Sequence, residues 1–344
     1  MILNNKILVV GAGFSGATVA RSLAEAGFKI DIIDQRSHLA GNAYDFYNAH
    51  MHRVHKYGPH IFHTNNKVVF DWLTNFTDWI EYKHKVKAIL DDGTLVTLPP
   101  NIQTQETVGK ENIIDTLFRP YTKKMWGLEI EKIDPSILNR VPIRNDNNEH
   151  YFPDDKYQFM PKDGYTALVE NMLNHENIDI YLNCKFSYEL EEKYDHVFNS
   201  MAIDEYHKYC FGKLPYRSIK FHHFTLPIKR YQLYPTINFT NDGPITRVTE
   251  WKNYPNHALE DCNTTTITFE EPCCYSENNF ERYYPVKDID GNNRKIYERY
   301  RALCKSNMTF IGRCGMYVYI DMHQAVSSAR AAASRFIAEN ALQK

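Results

Sequence analysis

The sequence predicts an α/β protein. Its parallel sheet is assembled from distant parts of the chain, with one helical insert and one antiparallel-sheet insert. Three observations carry this. An apolar run, Lys6 to Val10, feeds a glycine turn near the start. Runs of the same β type return at Asp179–Leu182, His196–Asn199 and Met308–Arg313. Between the returns lie a helical stretch, 105–143, and a stretch of β segments, 221–268, each too long to be a loop.

Gly11-Ala12-Gly13-Phe14-Ser15-Gly16 has G-x-G-x-x-G spacing. It follows a strand and opens a helix with Gly16, Ala20, Leu23 and Ala24 on one face. A second strand ends at Ile33-Asp34, ~20 residues beyond the glycines. Gly11 permits the tight turn, Gly13 the close approach of a pyrophosphate, and Gly16 the packing of helix on strand. The helix N-terminus offers N–H groups and a positive dipole end to phosphates. Asp34 stands where a ribose-hydroxyl acceptor belongs, and an acid there argues against a 2′-phosphate. The unit reads as a Rossmann-like dinucleotide site. The fingerprint alone does not separate FAD from NAD.

The 344 residues exceed one ordinary core, so two or three domains are expected. A formal net charge of −2 gives no electrostatic case for nucleic acid. No apolar run reaches the ~20 residues of a membrane span, and no secretory signal is read, so a cytoplasmic protein without membrane insertion is expected. Seven cysteines without a C-x-x-C pair are expected to be reduced thiols, with no bound metal.

Further elements follow in order. Gly41-Asn42-Ala43-Tyr44 is a turn. Residues 68–76 carry an amphipathic helical stripe of Val69, Trp72, Leu73 and Phe76. Tyr82 to Leu98 reads as a hairpin around Asp91-Asp92-Gly93. In the helical stretch, Asp134-Pro135 marks a break or a new start. Helices are expected at 164–173, 295–303 and 322–342.

Chemistry is sought first among loop arginines beside aromatic and proline residues: Arg140, Arg144, Arg217, Arg247 and Arg313. The guanidinium fork suits phosphate oxygens. The chain has 24 tyrosines, dense at Tyr283-Tyr284 and Tyr317–Tyr319, which suit base stacking and phosphate donation. His60 and His63 flank Ile61-Phe62 and leave three roles open: a metal pair, a general base or cofactor-edge donors. No third ligand is evident, so metal is rejected. No G-x-S-x-G elbow or Walker motif occurs, and no general base stands out. A bound redox cofactor carrying the chemistry fits that pattern.

Taken together, the motifs resemble the UDP-galactopyranose mutases. The likeness rests on the glycine turn, Gly41–Tyr44, Lys56-Tyr57-Gly58-Pro59-His60-Ile61-Phe62-His63-Thr64, Tyr121–Gly127, Arg140-Val141-Pro142-Ile143-Arg144, Tyr216–Phe221, Ile237–Thr240, Thr246-Arg247, Tyr283–Val286 and Tyr319–Gln324. They occur in the family's order across nearly the whole chain. The resemblance implies a flavoprotein that interconverts UDP-galactopyranose and UDP-galactofuranose without net redox change. Reduced FAD would attack the anomeric carbon through N5 and UDP would leave. The resulting iminium would let the ring reopen and close at another hydroxyl.

It also implies residue roles. Arg140 and Arg247 would clamp the diphosphate, and His60 and His63 would lie by the isoalloxazine, His63 at the flavin face. Tyr121, Tyr151, Tyr284 and Tyr319 would line the uridine and diphosphate, Phe152 the uracil and Trp126 the sugar. Arg217 and Asn238 would complete the pocket. Gly11, Gly13, Phe14, Ser15, Gly16, Asp34, Gln35, Asn42, His60, Arg313, Asp321 and Met322 would hold FAD. Implied domains are FAD-binding at 1–79, 160–212 and 296–344, small helical with a mobile lid at 102–150, and antiparallel sheet at 80–101, 151–159 and 213–295. The partner is a UDP-sugar, and a homodimer is left open.

Three departures stand out. Ala40 replaces a glycine, which is tolerable only at negative φ. Ile320 stands where a tyrosine is common. The helical domain is short, with only about twenty residues between Asn101 and Tyr121. UDP-N-acetylgalactosamine or a deoxyhexose conjugate is an alternative substrate. An FAD-dependent amine oxidase and a non-catalytic binding protein are alternatives of another kind.

Overall fold

The computed structural model describes residues 6–138, 141–259 and 262–341. Lys6–Val10 pairs in parallel with Lys29–Ile33 on one side and His196–Asn199 on the other. Ile178–Tyr181 and Met308–Phe310 complete a five-stranded parallel sheet. The returning runs thus rejoin the first unit. The inner strands are buried on both faces, as apolar parallel strands must be. The helix Phe14–Glu25 packs against Met322–Ala341 and Tyr165–Leu173. Small buried residues at the contact, Ala17, Ala20 and Ala24 with Ala329, Ala332 and Ala333, let the backbones approach closely.

The last strand ends earlier than the expected 308–313. Gly312 has φ +71° and opens a one-turn helix, Gly312–Gly315, which aims Arg313 away from the sheet line.

The second sheet has seven strands, in the order Tyr284–Pro285, Tyr216–Leu226, Thr265–Cys274, Arg247–Glu250, Thr236–Phe239, Val86–Ile89, Leu95–Leu98. It is mixed rather than antiparallel, because Thr236–Phe239 runs parallel to Val86–Ile89. Those two strands come from distant parts of the chain, so no tight turn fixes their relative direction. The hairpin around Asp91-Asp92-Gly93 is present but begins at Val86. Trp79–Glu81 instead joins Phe62–Thr64 and Tyr157–Pro161 in a separate three-stranded sheet.

The helical stretch is broken into Ile102–Val108, Arg119–Trp126 and Pro135–Leu138, with 3-10 and π turns between. Gly109 and Gly127, both at positive φ, end the first two helices, and Pro135 starts the third. Among the described residues no helix is long and apolar enough to cross a membrane.

Ala40 departs from expectation. It adopts φ +67°, in the left-handed region, directly before Gly41 at +55°. The turn retains the glycine geometry although the glycine is gone. Ala40→Gly should therefore stabilise the fold by about 1 kcal/mol, measured as a rise in urea midpoint at constant m value.

Candidate active site

The glycine turn borders a cavity of about 400 Å³. All twelve residues expected to hold FAD line it: Gly11, Gly13, Phe14, Ser15, Gly16, Asp34, Gln35, Asn42, His60, Arg313, Asp321 and Met322. A wider hollow of about 750 Å³ beside Arg21, Trp72 and Asn171 is more open, and none of these twelve residues lines it.

The three glycines are needed for different reasons. A Cβ on Gly16 would lie 1.8 Å from the Gly11 carbonyl oxygen. Gly11 has φ +99°, and a Cβ there would strike Ser200 Oγ at 2.0 Å. Both are demanded by the chain itself. A Cβ on Gly13 meets nothing closer than Gly41 Cα at 3.5 Å. Its missing side chain is explained by whatever enters from the cavity. Gly13 also caps the helix without a side chain, so no protein group neutralises the opening N–H groups. A cradle of this kind fits the pyrophosphate of a dinucleotide cofactor.

Asp34 braces the turn. One carboxylate oxygen accepts from Ala12 N and the other from Arg36 N, each at 2.9 Å. Arg36 was not expected in the site, yet it lines the cavity. It donates to Asn42 Oδ1 at 2.9 Å, pairs with Glu281 and lies over the Tyr57 ring. An arginine two residues after the strand-terminal acid was the available sequence signal.

The two histidines part company. His60 lines the cavity, and His63 does not. His63 stacks on Phe152, with centroids 3.6 Å apart and planes 9° from parallel, and its Nδ1 lies 2.6 Å from Asp155 Oδ2. The strand Phe62–Thr64 carries His63 into the small sheet opposite Gln158, outside the lining of the cavity.

A tautomer chain fixes His60. Its Nδ1 donates to the Gly58 carbonyl at 2.8 Å, which leaves Nε2 as acceptor. Its backbone N–H donates to His55 Nδ1, so His55 Nε2–H donates to His257 Nε2, and His257 Nδ1–H to the Pro255 carbonyl. Burial is the leading reason these rings stay neutral. It pushes His60 down to about 4, and His257 and the nearby His84 down to about 3. An unfolded chain would bind more protons below about pH 6.5. Their contribution to stability is therefore complete above that pH and is lost as pH falls toward the folded values. Each ring contributes a slope approaching about 1.4 kcal/mol per pH unit. Denaturant titrations between about pH 7 and pH 5 should show the midpoint falling steeply.

Beyond His60 lies the second half of the site, organised by strand register. Asn238 faces Arg247, and Arg247 faces Glu270, across three adjacent strands. Flanking threonines Thr236, Thr249 and Thr268 on this row's face are buried. The covered face of the sheet is thus polar. Glu270 is fully buried, and its Oε2 lies 2.8 Å from Arg247 Nε without hydrogen-bond alignment. Burial opposes the Arg247 charge, but Glu270 and the Tyr121 and Tyr151 oxygens raise its pKa overall. Burial also raises Glu270, against the pull of Arg247.

The aromatic residues close the site. Trp126 meets Tyr284 edge-on at 4.7 Å and Tyr319 at 5.5 Å, with Tyr121 packed on the same cluster. Arg313 lies over the Tyr319 ring and joins this cluster to the cavity. Tyr151 and Phe152 form an edge-to-face pair. Arg217 donates to the Met125 and Lys124 carbonyls, and Tyr284 donates to the Met125 carbonyl. These two hold the C-terminal end of the Trp126 helix. Arg140 lies outside the described residues. Glu270 and His84 were missed, since an acid or histidine in a stretch that reads as β ordinarily marks a solvated face.

A parallel sheet with an open glycine cradle, beside a buried arginine ringed by tyrosines, defines a protein with a Rossmann-like domain of the NAD(P)- or flavin-binding kind. A family model described as an NAD(P)-binding Rossmann-like domain matches residues 9–76. A second, UDP-galactopyranose mutase, matches residues 116–319. The chain is 34% identical to a probable UDP-galactopyranose mutase of Klebsiella pneumoniae, covering 99% of this chain and 97% of that protein. It is 35% identical to a dTDP-fucopyranose mutase of Escherichia coli, covering 98% and 99%. A solved reduced UDP-galactopyranose mutase shares the fold, with a TM-score of 0.75 at 16% identity over 97% of this chain and 94% of that one. The chain belongs to the UDP-galactopyranose mutase family and is an isomerase.

Proposed function

We propose that the chain catalyses the reversible, redox-neutral conversion of UDP-galactopyranose to UDP-galactofuranose with FAD in its reduced state. The observation that carries this is the adjacency of the open glycine cradle and the Arg247–tyrosine cluster, joined by His60 and by Arg313 over Tyr319. Bound reduced FAD supplies the nucleophile, its N5, toward the anomeric carbon. The glycine turn and the helix N-terminus would hold its pyrophosphate, and Asp34 would take the adenosine ribose. Arg247 stabilises the negative charge that grows on the departing UDP, joined by Arg140 from the lid segment. Tyr121, Tyr151, Tyr284 and Tyr319 line the nucleotide diphosphate, Phe152 meets the uracil, and Trp126 borders the sugar. Asn238 lies beside Arg247 in the strand row. His60, neutral with Nε2 as acceptor, faces the cofactor ring, while Arg217 keeps Trp126 in place.

The cofactor domain is assigned to 1–79, 160–212 and 296–344, the lid-bearing helical domain to 102–150, and the remainder to the sheet domain. The arginine–tyrosine cluster disfavours an amine oxidase, since an amine substrate needs no diphosphate clamp. A second reading, the same chemistry on another nucleotide sugar, is favoured by the similarity to a dTDP-fucopyranose mutase. One experiment tests both. Dithionite-reduced protein is incubated with a panel of UDP- and dTDP-sugars and the products are separated by chromatography. A furanose product from one sugar supports the reading and names the substrate. Oxygen-dependent amine oxidation with no furanose product defeats it.

A further inference from the structure

Among the described residues, Glu270 is a fully buried carboxylate with no aligned hydrogen bond on either oxygen, held by one cation at 2.8 Å. The groups facing it come from several elements. Arg247 lies on the neighbouring strand and Tyr121 on the helical insert. Tyr254 and Tyr283 lie on segments flanking the sheet. Across Arg247 stand His60 and His84. Burial keeps both imidazoles neutral and the phenols protonated, so among these described groups Arg247 alone is charged at neutral pH. Gly58 borders the carboxylate without a side chain: a Cβ there would lie 3.2 Å from Glu270 Oε1 and 2.7 Å from the Phe221 ring.

A diphosphate arriving at Arg247 brings a second anion to the same cation, where water does not reach the carboxylate. We infer that Glu270 takes up one proton from solvent as the diphosphate docks. It then ceases to be the counter-ion of Arg247 and becomes a hydrogen-bond donor on the wall of the site. The inference rests on the nucleotide-sugar reading of this site. No bond other than O–H forms, and no electron moves. The free pair is neutral overall, so the arginine is shielded until a ligand with phosphate charge replaces the carboxylate.

The probe is UDP-galactose, whose diphosphate carries no proton to exchange near neutral pH, added to the oxidised holoenzyme so that turnover does not intrude. Calorimetry at about pH 8, in two buffers of different ionisation heat, should report close to one proton taken up per ligand bound. The association constant should fall about tenfold for each unit rise in pH. In Glu270→Gln both effects should vanish. Infrared difference spectra of the wild-type protein should gain the carbonyl stretch of a protonated carboxyl on ligand addition, a readout that does not depend on the variant folding. Binding without proton uptake overturns the inference. So does uptake that persists in Glu270→Gln, which would move the proton to His60 or His84. Absence of any UDP-galactose binding overturns the functional reading itself and the inference with it.

Discussion

Arg247→Ala is expected to lower kcat by a hundredfold to a thousandfold or more while FAD stays bound, an order set by loss of one preorganised cation at a developing anion. The cavity that would hold FAD is lined by the glycine turn, His60 and Arg313, and Arg247 is absent from its wall. Cofactor content should therefore be unchanged. Stability should not be, because the truncation leaves Glu270 buried and uncompensated, a change that costs roughly 3–5 kcal/mol. The double variant Arg247→Ala/Glu270→Gln separates the two effects. Its denaturation midpoint should recover most of the loss, while turnover remains as low as in the single variant. Recovery of activity in the double variant, or full activity in Arg247→Ala, would remove this arginine from the chemistry. Arg247→Lys is not a conservative control, since an ammonium cannot present the planar fork that Nε anchors against Glu270.

The glycine turn and Asp34 were legible in the sequence because they follow from local geometry. A strand, a glycine turn, a helix and a terminal acid occur within about thirty residues, and their order implies their contacts. The later contributors Arg313, Asp321 and Met322 came from likeness to a family and line the same cavity. The substrate half was read from the sequence as single residues and not as an arrangement. Arg247 was found, whereas Glu270, which decides its electrostatics, was not. The reason lies in the sheet. Its strands are buried on both faces, one carrying Thr236, Thr249, Thr268, Asn238 and Glu270 and the other Ile237, Val248 and Ile267. An alternation read as apolar-inward assigns those acids and threonines to solvent. His63 was placed by likeness to the family, and the three-residue strand Phe62–Thr64 sets it against Asp155 and Phe152, contacts that no local pattern encodes. The parallel pairing of Thr236–Phe239 with Val86–Ile89 joins segments about 150 residues apart, beyond what local periodicity encodes.

Gly13→Val should yield a folded protein that purifies without flavin. The backbone at Gly13, φ −82° and ψ −174°, is extended, and β-branched residues occupy such geometry without strain. The nearest atom a Cβ would meet in the chain is 3.5 Å away, which is ordinary contact. A Cβ at this position is accommodated by the protein alone, so the denaturation midpoint of the apoprotein should change little. The pyrophosphate has no such latitude, since the branched methyls would stand in front of the first helical N–H groups. The measurements are the flavin-to-protein absorbance ratio and reconstitution with added FAD, both of which should fall to background. Gly16→Ala is the contrasting control. Its Cβ would stand 1.8 Å from the Gly11 carbonyl oxygen, so that variant should lose the fold together with the cofactor. If Gly13→Val binds FAD normally, the open space above Gly13 is not where the pyrophosphate lies, and the cofactor must enter the cavity in another orientation.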